Sequence, residues 1–169
     1  FEFLGLDSKH RASNKVTQLV KHYDEVPDKY KKDGELVAQV KKDGVCALVV
    51  SYEGRVKIFS RTGKEFTNTE TILSKLCPMP SGVYFGEIWA DKGKHSLEQV
   101  SGCVNPNRVK ELTDEQFDVV SNLSISLFDM LDVEEFIEGK STCGYGTRHL
   151  KLISTCIDKR VEVLNFKHI

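Results

Sequence analysis

The sequence contains 169 residues, 40% hydrophobic and 29% charged, a composition typical of a globular domain long enough to bury a core. Its formal net charge of −1 excludes a globally basic surface for nucleic acid, although a local basic patch stays open. No apolar run approaches the ~20 residues of a transmembrane helix, and five isolated cysteines without CxxC or paired-histidine spacing argue against zinc and indicate a reducing, cytoplasmic location.

The first part of the chain predicts a helix followed by a loop. Residues 11–23 carry apolar side chains at helical spacing, and residues 24–35 are polar and contain proline and glycine. From residue 36 the pattern changes to strands. We therefore divide the chain into an N-terminal helix and loop, residues 1–35, and a main domain, residues 36–169.

Two hairpins are predicted at the start of the main domain. The runs LVAQV (36–40) and VCALVVSY (45–52) flank Asp-Gly at 43–44, which is a strong hairpin signal. The weaker Glu-Gly signal at 53–54 predicts a second hairpin that leads into RVKIFSR (55–61).

The remaining patterns predict alternating short helices and strands. We expect helices in TNTETILSKLC (67–77, capped by Thr67 or Asn68), SLEQVSG (96–102, ended at Gly102), TDEQFDVVSNL (113–123, with a capping box of Thr113 and Gln116) and the end of STCGYGTRHLKLISTCI (141–157). We expect strands in GVYFGEIWA (82–90), SISLFDMLD (124–132) and RVEVLNFKHI (160–169). This mixture favours an α+β fold with antiparallel sheets flanked by helices.

Lys41 is the first candidate for chemistry, because it ends an apolar run beside another lysine. On local chemistry alone, KKDG (41–44) is an ordinary solvated turn. A lysine nucleophile must lose its proton, which desolvation or a neighbouring cation favours. A lysine at the lip of a sheet next to a second cation meets that requirement.

The segment KKDG resembles the K-x-D-G motif of ATP-dependent polynucleotide ligases and mRNA capping enzymes, and four more segments follow in that family's order. They are FSRTGKEF (59–66), GVYFGEIWA (82–90), SLFDML (126–131) and GTRHLKL (146–152). SLEQVSGCVNPNR (96–108) is similar to ligases of bacteriophages in particular. The resemblance covers roughly residues 36–152 and implies an ATP-grasp-like nucleotidyltransferase, or adenylation, domain.

The resemblance implies that Lys41 attacks the α-phosphorus of ATP with Mg²⁺ as cofactor. It further implies that Arg61 contacts ribose or phosphate, that Glu87 contacts ribose or supports the metal, and that Phe128 stacks on adenine. Gln39 would accept from the adenine amino group. The implied nucleotide-binding residues are Gln39, Val40, Lys41, Arg61, Glu87 and Phe128, and the implied supporting residues are Asp43, Gly44 and Gly86.

Residue type alone leaves other roles open. Arg61 is equally a surface arginine, Glu87 a carboxylate on the solvent face of its strand, and Phe128 an ordinary core residue. Many ligases have K-x-D-G-x-R, whereas Cys46 stands at the last position here. We expect Arg55 or Lys57 to supply the missing cation.

The family's glutamate-bearing fourth motif, its lysine-bearing fifth motif and its oligonucleotide-binding (OB-fold) domain do not appear in the sequence. We therefore expect an adenylation domain that is incomplete at its C-terminus, and we do not expect these 169 residues alone to carry out the full ligation reaction. Our leading hypothesis is a monomeric, cytoplasmic, virus-encoded DNA ligase that seals nicks in duplex DNA through a lysyl-AMP intermediate. The alternatives are an RNA ligase or guanylyltransferase, and a degenerate, non-catalytic nucleic-acid-binding module.

Overall fold

The computed structural model describes residues 4–6, 23–31, 36–91, 94–156 and 161–168. The helix predicted for residues 11–23 lies outside these ranges except for its last residue, which begins a short 3-10 helix, Tyr23–Glu25. A second 3-10 helix, Asp28–Tyr30, lies in the segment predicted as loop. In the described ranges no helix is long and apolar enough to cross a membrane.

Seven strands and five α-helices make up the described part of the chain. The strands are β1 (Val37–Gln39), β2 (Val45–Tyr52), β3 (Arg55–Phe59), β4 (Gly82–Trp89), β5 (Ser124–Leu131), β6 (Glu162–Val163) and β7 (Phe166–His168). The helices are α1 (Glu70–Leu76), α2 (Leu97–Val104), α3 (Asp114–Ser121), α4 (Val133–Glu138) and α5 (Tyr145–Thr155).

Within the described ranges, the strands form a five-stranded sheet in the order β3-β2-β4-β5-β6 and a two-stranded sheet of β1 and β7. Neighbouring strands are antiparallel except β5 and β6, which are parallel. Helices flank the larger sheet, so the α+β prediction is confirmed. The single strand predicted for residues 160–169 is instead two short strands that belong to different sheets.

The hairpin predicted at 43–44 is wrong, because both edges of β2 are occupied by other strands. β3 pairs along one edge through the predicted Glu-Gly turn, and β4 pairs along the other. A strand has two hydrogen-bonding edges, so β1 pairs with β7 instead. At the confirmed turn, Glu53 and Gly54 both have positive φ, 49° and 74°, as a two-residue hairpin of this kind requires.

Gly44 has a packing role where a hairpin turn was expected. A Cβ at Gly44 would lie 2.2 Å from the Ile88 carbonyl oxygen and 2.8 Å from Cγ of Glu87. The missing side chain therefore lets the KKDG segment lie directly against the end of β4.

The larger sheet buries apolar side chains on both faces. Along β2, Ala47 and Val49 belong to one buried cluster, while Leu48 and Val50 belong to a second cluster on the opposite face. Both clusters exclude water from the sheet, so the middle of β2 is a continuous apolar run rather than an alternating one.

Two helix ends differ from the sequence-based expectation. Neither Thr67 nor Asn68 caps α1, because their side chains donate to the carbonyls of Asn105 and Cys103, and Thr69 is the N-cap residue. The helix of residues 96–102 continues past Gly102 to Val104.

Burial explains that extension, since Cys103 and Val104 are fully buried. The capping box of Thr113 and Gln116 is confirmed, and Ser96 forms another with Gln99. Helix α4 had no predicted counterpart.

A buried ion pair connects β5 to α5. Arg148 donates to both carboxylate oxygens of Asp129, at 2.9 and 2.8 Å, and also to the Cys143 carbonyl at 2.6 Å. The Asp129 side chain is 7% exposed and the Arg148 side chain 16%. This bidentate contact fixes the arginine-bearing helix against the strand that carries Phe128.

Replacing Arg148 is expected to destabilise the fold strongly. Arg148→Ala removes the bidentate guanidinium contact to the buried Asp129 carboxylate, which costs about 3–5 kcal/mol of unfolding free energy. The matched control is Lys151→Ala on the same helix, since Lys151 pairs with Asp132 at an exposed site and should cost under about 1 kcal/mol. Urea unfolding measures both; equal losses would contradict the buried-pair account.

Gly44→Ala is expected to destabilise the protein by about 1–3 kcal/mol, because its Cβ must displace the β4 backbone. Gly102→Ala is the control, since a Cβ there meets nothing within 4 Å and helical alanine should stabilise by about 0.5–1 kcal/mol. Thermal unfolding should show a lower melting temperature for Gly44→Ala and a higher one for Gly102→Ala. A stable Gly44→Ala variant would refute the close approach of the two segments.

Candidate functional site

A cleft of about 760 Å³ lies at the end of the larger sheet where β2 begins and β3 and β4 end. Its lining comes from the connection between β1 and β2, the start of β2, the turn after β3, the end of β4, β5 and α2. Seven of the nine residues predicted for the site are among them: Gln39, Val40, Lys41, Gly44, Arg61, Glu87 and Phe128. The two others are near it, Asp43 beside Gly44 in an exposed position and Gly86 buried next to Glu87.

Lys41 lies in the connection between β1 and β2 and is exposed to solvent. Its charge is close enough to the Glu87 carboxylate to lower the pKa of that group. Val40 precedes it with 69% of its surface exposed, so it lines the cleft without belonging to the core. Lys41 thus brings an exposed ammonium group to the cleft.

Glu87 is a half-buried carboxylate at the centre of the site. Burial raises the pKa of Glu87 above its ordinary value, and the charge of Asp43 adds to this effect. Lys41, a hydrogen bond from the Gly44 backbone N–H and Arg61 act in the opposite direction. The strand therefore holds Glu87 facing two cations, and not on an open solvent face.

Arg61 lies in the tight turn that follows β3. The Gly63 N–H donates to the Ser60 carbonyl at 2.9 Å, and the Ser60 N–H donates to the Lys64 carbonyl at 2.8 Å. Gly63 has φ 82°, a left-handed conformation that glycine adopts without strain. The S-R-x-G sequence thus forms a closed turn that places the arginine, which is exposed, at the cleft.

Phe128 lies at a β-bulge in β5. Phe85 pairs with Asp129 and Gly86 pairs with Leu127, so Phe128 is the extra residue without a partner in this ladder. A Cβ at Gly86 would lie 2.8 Å from the Ser126 carbonyl oxygen, so a larger residue would push the two strands apart at the bulge. The bulge turns the half-buried Phe128 ring toward the cleft, where it also packs against the second apolar cluster.

Cys46 pairs with Glu87 across β2 and β4. Burial, followed by the Glu87 carboxylate, raises the pKa of Cys46 to about 11, and Arg61 partly opposes them. The thiol is therefore neutral at physiological pH and is not a nucleophile.

The cation near Cys46 is Arg61, not one of the two residues expected from the sequence. Arg55 pairs with Glu53 at 3.5 Å, and Lys57 pairs with Glu65 at 2.7 Å. The expectation that Arg55 or Lys57 replaces the missing arginine is therefore not supported by their positions.

Gln39 has a fixed orientation. Its side-chain nitrogen donates to the Leu164 carbonyl oxygen at 2.7 Å, which identifies the nitrogen side of the amide. Its side chain also hydrogen-bonds with Tyr145. The amide oxygen is therefore held on the side away from Leu164.

Sequence reasoning missed several contacts at and beside the cleft. Lys42 pairs with Glu162 at 3.0 Å, and Leu164 lines the cleft through the segment that follows α5. Glu162 and Leu164 are far from Lys41 in sequence and carry no local motif. Helix α2 contributes Leu97 and Ser101, and the sequence pattern of this helix carries no signal for a site role.

The arrangement suits a nucleotide better than a bare metal ion. Two cations, a half-exposed aromatic ring and an oriented amide match phosphate, base and amino groups. Across the described ranges, no group of three or more His, Cys, Asp or Glu side chains could hold a metal by itself. Mg²⁺ that arrives with phosphate ligands needs only one or two protein carboxylates, and Glu87 fits that need.

No protein-family model and no curated protein matches the sequence. The fold is similar to solved structures of ligases. The structure named "Pmar-Lig_PreS3" has a TM-score of 0.62 at 22% sequence identity, with 82% of this chain and 32% of that chain covered. The structure named "Pmar-Lig_Pre." has a TM-score of 0.62 at 23% identity, with 83% and 32% covered.

A third similar structure is described as "DNA binding with a minimal scaffold: Structure-function analysis of Lig E DNA ligases". Its TM-score is 0.52 at 16% identity, with 79% of this chain and 44% of that chain covered. The chain therefore spans 32% to 44% of the length of these proteins. At these identities the likeness concerns the fold, and it assigns this chain a DNA ligase-like fold.

Proposed function

We propose that this chain carries the adenylation site of an ATP-dependent DNA ligase that seals nicks in duplex DNA. One observation supports this most directly: Lys41, Arg61, Glu87 and Phe128 come from four separate parts of the chain and line one cleft. The DNA ligase-like fold supports the same assignment.

In the proposed reaction, the neutral amine of Lys41 attacks the α-phosphorus of ATP. A P–N bond forms, the bond between the α-phosphorus and the bridging oxygen breaks, and pyrophosphate leaves while the lysine nitrogen loses a proton to water. AMP is then passed to a 5′-phosphate at a nick, and the 3′-hydroxyl displaces it. Such transfers depend on positioning and charge neutralisation.

Each nearby residue has a proposed part in the first step. Phe128 stacks against adenine, and the oxygen of Gln39 accepts from its amino group, which selects ATP over GTP. Arg61 contacts phosphate or ribose oxygens, and Glu87 contacts ribose hydroxyls or a metal. Bound Mg²⁺ supplies neutralisation of phosphate charge.

A non-catalytic nucleic-acid-binding module is the second candidate, and Cys46 is the observation that favours it. A neutral thiol at that position gives the cleft one cation fewer than the K-x-D-G-x-R pattern. The position of Lys41 near Glu87 and Arg61 favours the ligase hypothesis. A module that only binds nucleic acid does not need a lysine opposite a partly desolvated carboxylate.

The chain is expected to acquire label from α-³²P ATP and Mg²⁺, and Lys41→Arg is expected to abolish it. Arginine keeps the positive charge but is not a nucleophile at neutral pH. Lys64→Arg, a lysine that contacts Asn107 outside the cleft, is the control and should label as the wild type does. Label that survives in Lys41→Arg, or an unlabelled wild-type chain, would contradict the proposal; label from GTP would favour a guanylyltransferase.

Glu87→Gln is expected to gain stability relative to the wild type as pH rises. The folded protein holds the Glu87 proton more tightly than the unfolded chain, so wild-type stability falls as pH rises from about 4 through the raised pKa. Glutamine removes that loss, and the variant should nevertheless bind ATP more weakly.

Glu135→Gln is the control of opposite sign. Hydrogen bonds, first from the Thr142 backbone, lower the pKa of Glu135, so this carboxylate contributes stability above the ordinary Glu pKa. The glutamine variant should therefore lose stability relative to the wild type as pH rises. Urea unfolding from about pH 3, below the ordinary pKa of glutamate, up to about pH 8 measures both. The same sign for both variants would refute the assigned environments.

A further inference from the structure

Lys42, the residue after the proposed nucleophile, is largely buried against a carboxylate and an aromatic ring. Its ammonium lies 3.0 Å from the Glu162 carboxylate and 4.6 Å from the centroid of the Trp89 ring. Its side chain is 21% exposed. A partly desolvated ammonium needs a counter-charge, and the ring face adds a cation–π attraction. The side chain therefore anchors the connection that carries Lys41.

Glu162 is itself held in place. Its carboxylate accepts from the Ser126 hydroxyl, which in turn accepts from the Trp89 indole N–H at 2.7 Å. Ser126 is fully buried, and its backbone pairs with Glu162 in the parallel ladder. Burial raises the pKa of Glu162, but the hydrogen bonds from Ser126 and Lys42 outweigh it and lower that pKa overall. The carboxylate is therefore ionised and oriented at neutral pH.

The same C-terminal segment also holds the other side of Lys41. The Gln39 side chain donates to the Leu164 carbonyl at 2.7 Å, and β1 pairs with β7. The Leu164 N–H donates to the Leu127 carbonyl at 2.8 Å, which fixes this segment to β5. Residues 162–168 thus contact the chain two residues before Lys41 and one residue after it.

We propose that Glu162, acting through Lys42, is a positioning residue that sets the place of the Lys41 amine in the cleft. The proposal rests on the adenylation function proposed above. In-line attack needs the reacting atoms about 3–3.5 Å apart, and a displacement of about 1 Å costs on the order of 100-fold in rate. Lys42 adjoins Lys41 directly, so losing the Glu162 contact frees the nucleophile from one of its two anchors.

Two conservative variants test the contact. Glu162→Gln keeps an acceptor for Ser126 and removes the charge; Lys42→Met keeps an unbranched stem over Trp89 and removes the ammonium. Each should lower the rate of Lys41 adenylylation at saturating ATP by about tenfold or more, with the Kd for ATP unchanged within about twofold. The double variant should be no slower than the slower single one, because the pair acts as a unit.

Lys42→Arg, which keeps a cation for Glu162, should recover most of the rate lost in Lys42→Met. The matched control pair is Lys57 and Glu65, joined at 2.7 Å outside the cleft. Lys57→Met and Glu65→Gln should leave the rate unchanged.

Three outcomes would overturn the positioning role: an unchanged saturated rate in Glu162→Gln, losses that multiply in the double variant, or weaker ATP binding as the sole effect. If Glu162→Gln does not fold, the comparison of Lys42→Met with Lys42→Arg decides the matter. A wild-type chain that takes up no AMP would refute the proposed function as well, whereas AMP on Lys41 at equal rates in wild type and Glu162→Gln would refute the positioning role alone.

Discussion

The pairing of β2 with β4 is the constraint on which the site depends. Its register runs from Val45 opposite Ile88 to Ser51 opposite Gly82. It places Gly44 against the end of β4, and so brings Lys41 to the carboxylate that follows Gly86. Because side chains alternate along a strand, a slip of one residue would turn Glu87 to the opposite face and remove it from the cleft.

One face of this sheet changes character along its length. Leu48 and Phe85 belong to a buried apolar cluster, whereas Cys46 and Glu87 lie at alternate positions toward the cleft. At the cleft end of this face, the partly desolvated Glu87 carboxylate takes the place of apolar packing. The charges of Lys41 and Arg61 offset only part of the cost of burying this carboxylate, because its pKa is still raised overall. Stability is thus given up where the proposed chemistry needs charge, which is a common relation between stability and function.

Features set by short-range interactions could be predicted from the sequence. The Thr113 capping box, the Glu53-Gly54 turn and the strand bearing Glu87 follow from contacts within a few residues. The Asp-Gly signal at 43–44 failed because a turn propensity contains no information about which strands occupy both edges of β2.

The parts of the site that were missed are long-range contacts. Arg61 rather than Arg55 or Lys57 lies near Cys46. The antiparallel register places the end of β3 beside the start of β2, whereas Arg55 lies opposite the far end of β2. The pairing of Lys42 with Glu162 joins distant parts of the chain. No local sequence pattern around either residue identifies the other as its partner. Seven of the nine residues expected from the motifs line one cleft, but the motifs did not indicate which contacts hold them there.

The most direct test of the central claim is a crystal structure of the protein with an ATP analogue that carries a methylene group between the α- and β-phosphates. Our account predicts adenine against the Phe128 ring and the α-phosphorus next to the Lys41 amine, with Arg61 and Glu87 in contact with the nucleotide. A nucleotide bound outside this cleft, or one whose α-phosphorus lies away from Lys41, would contradict it.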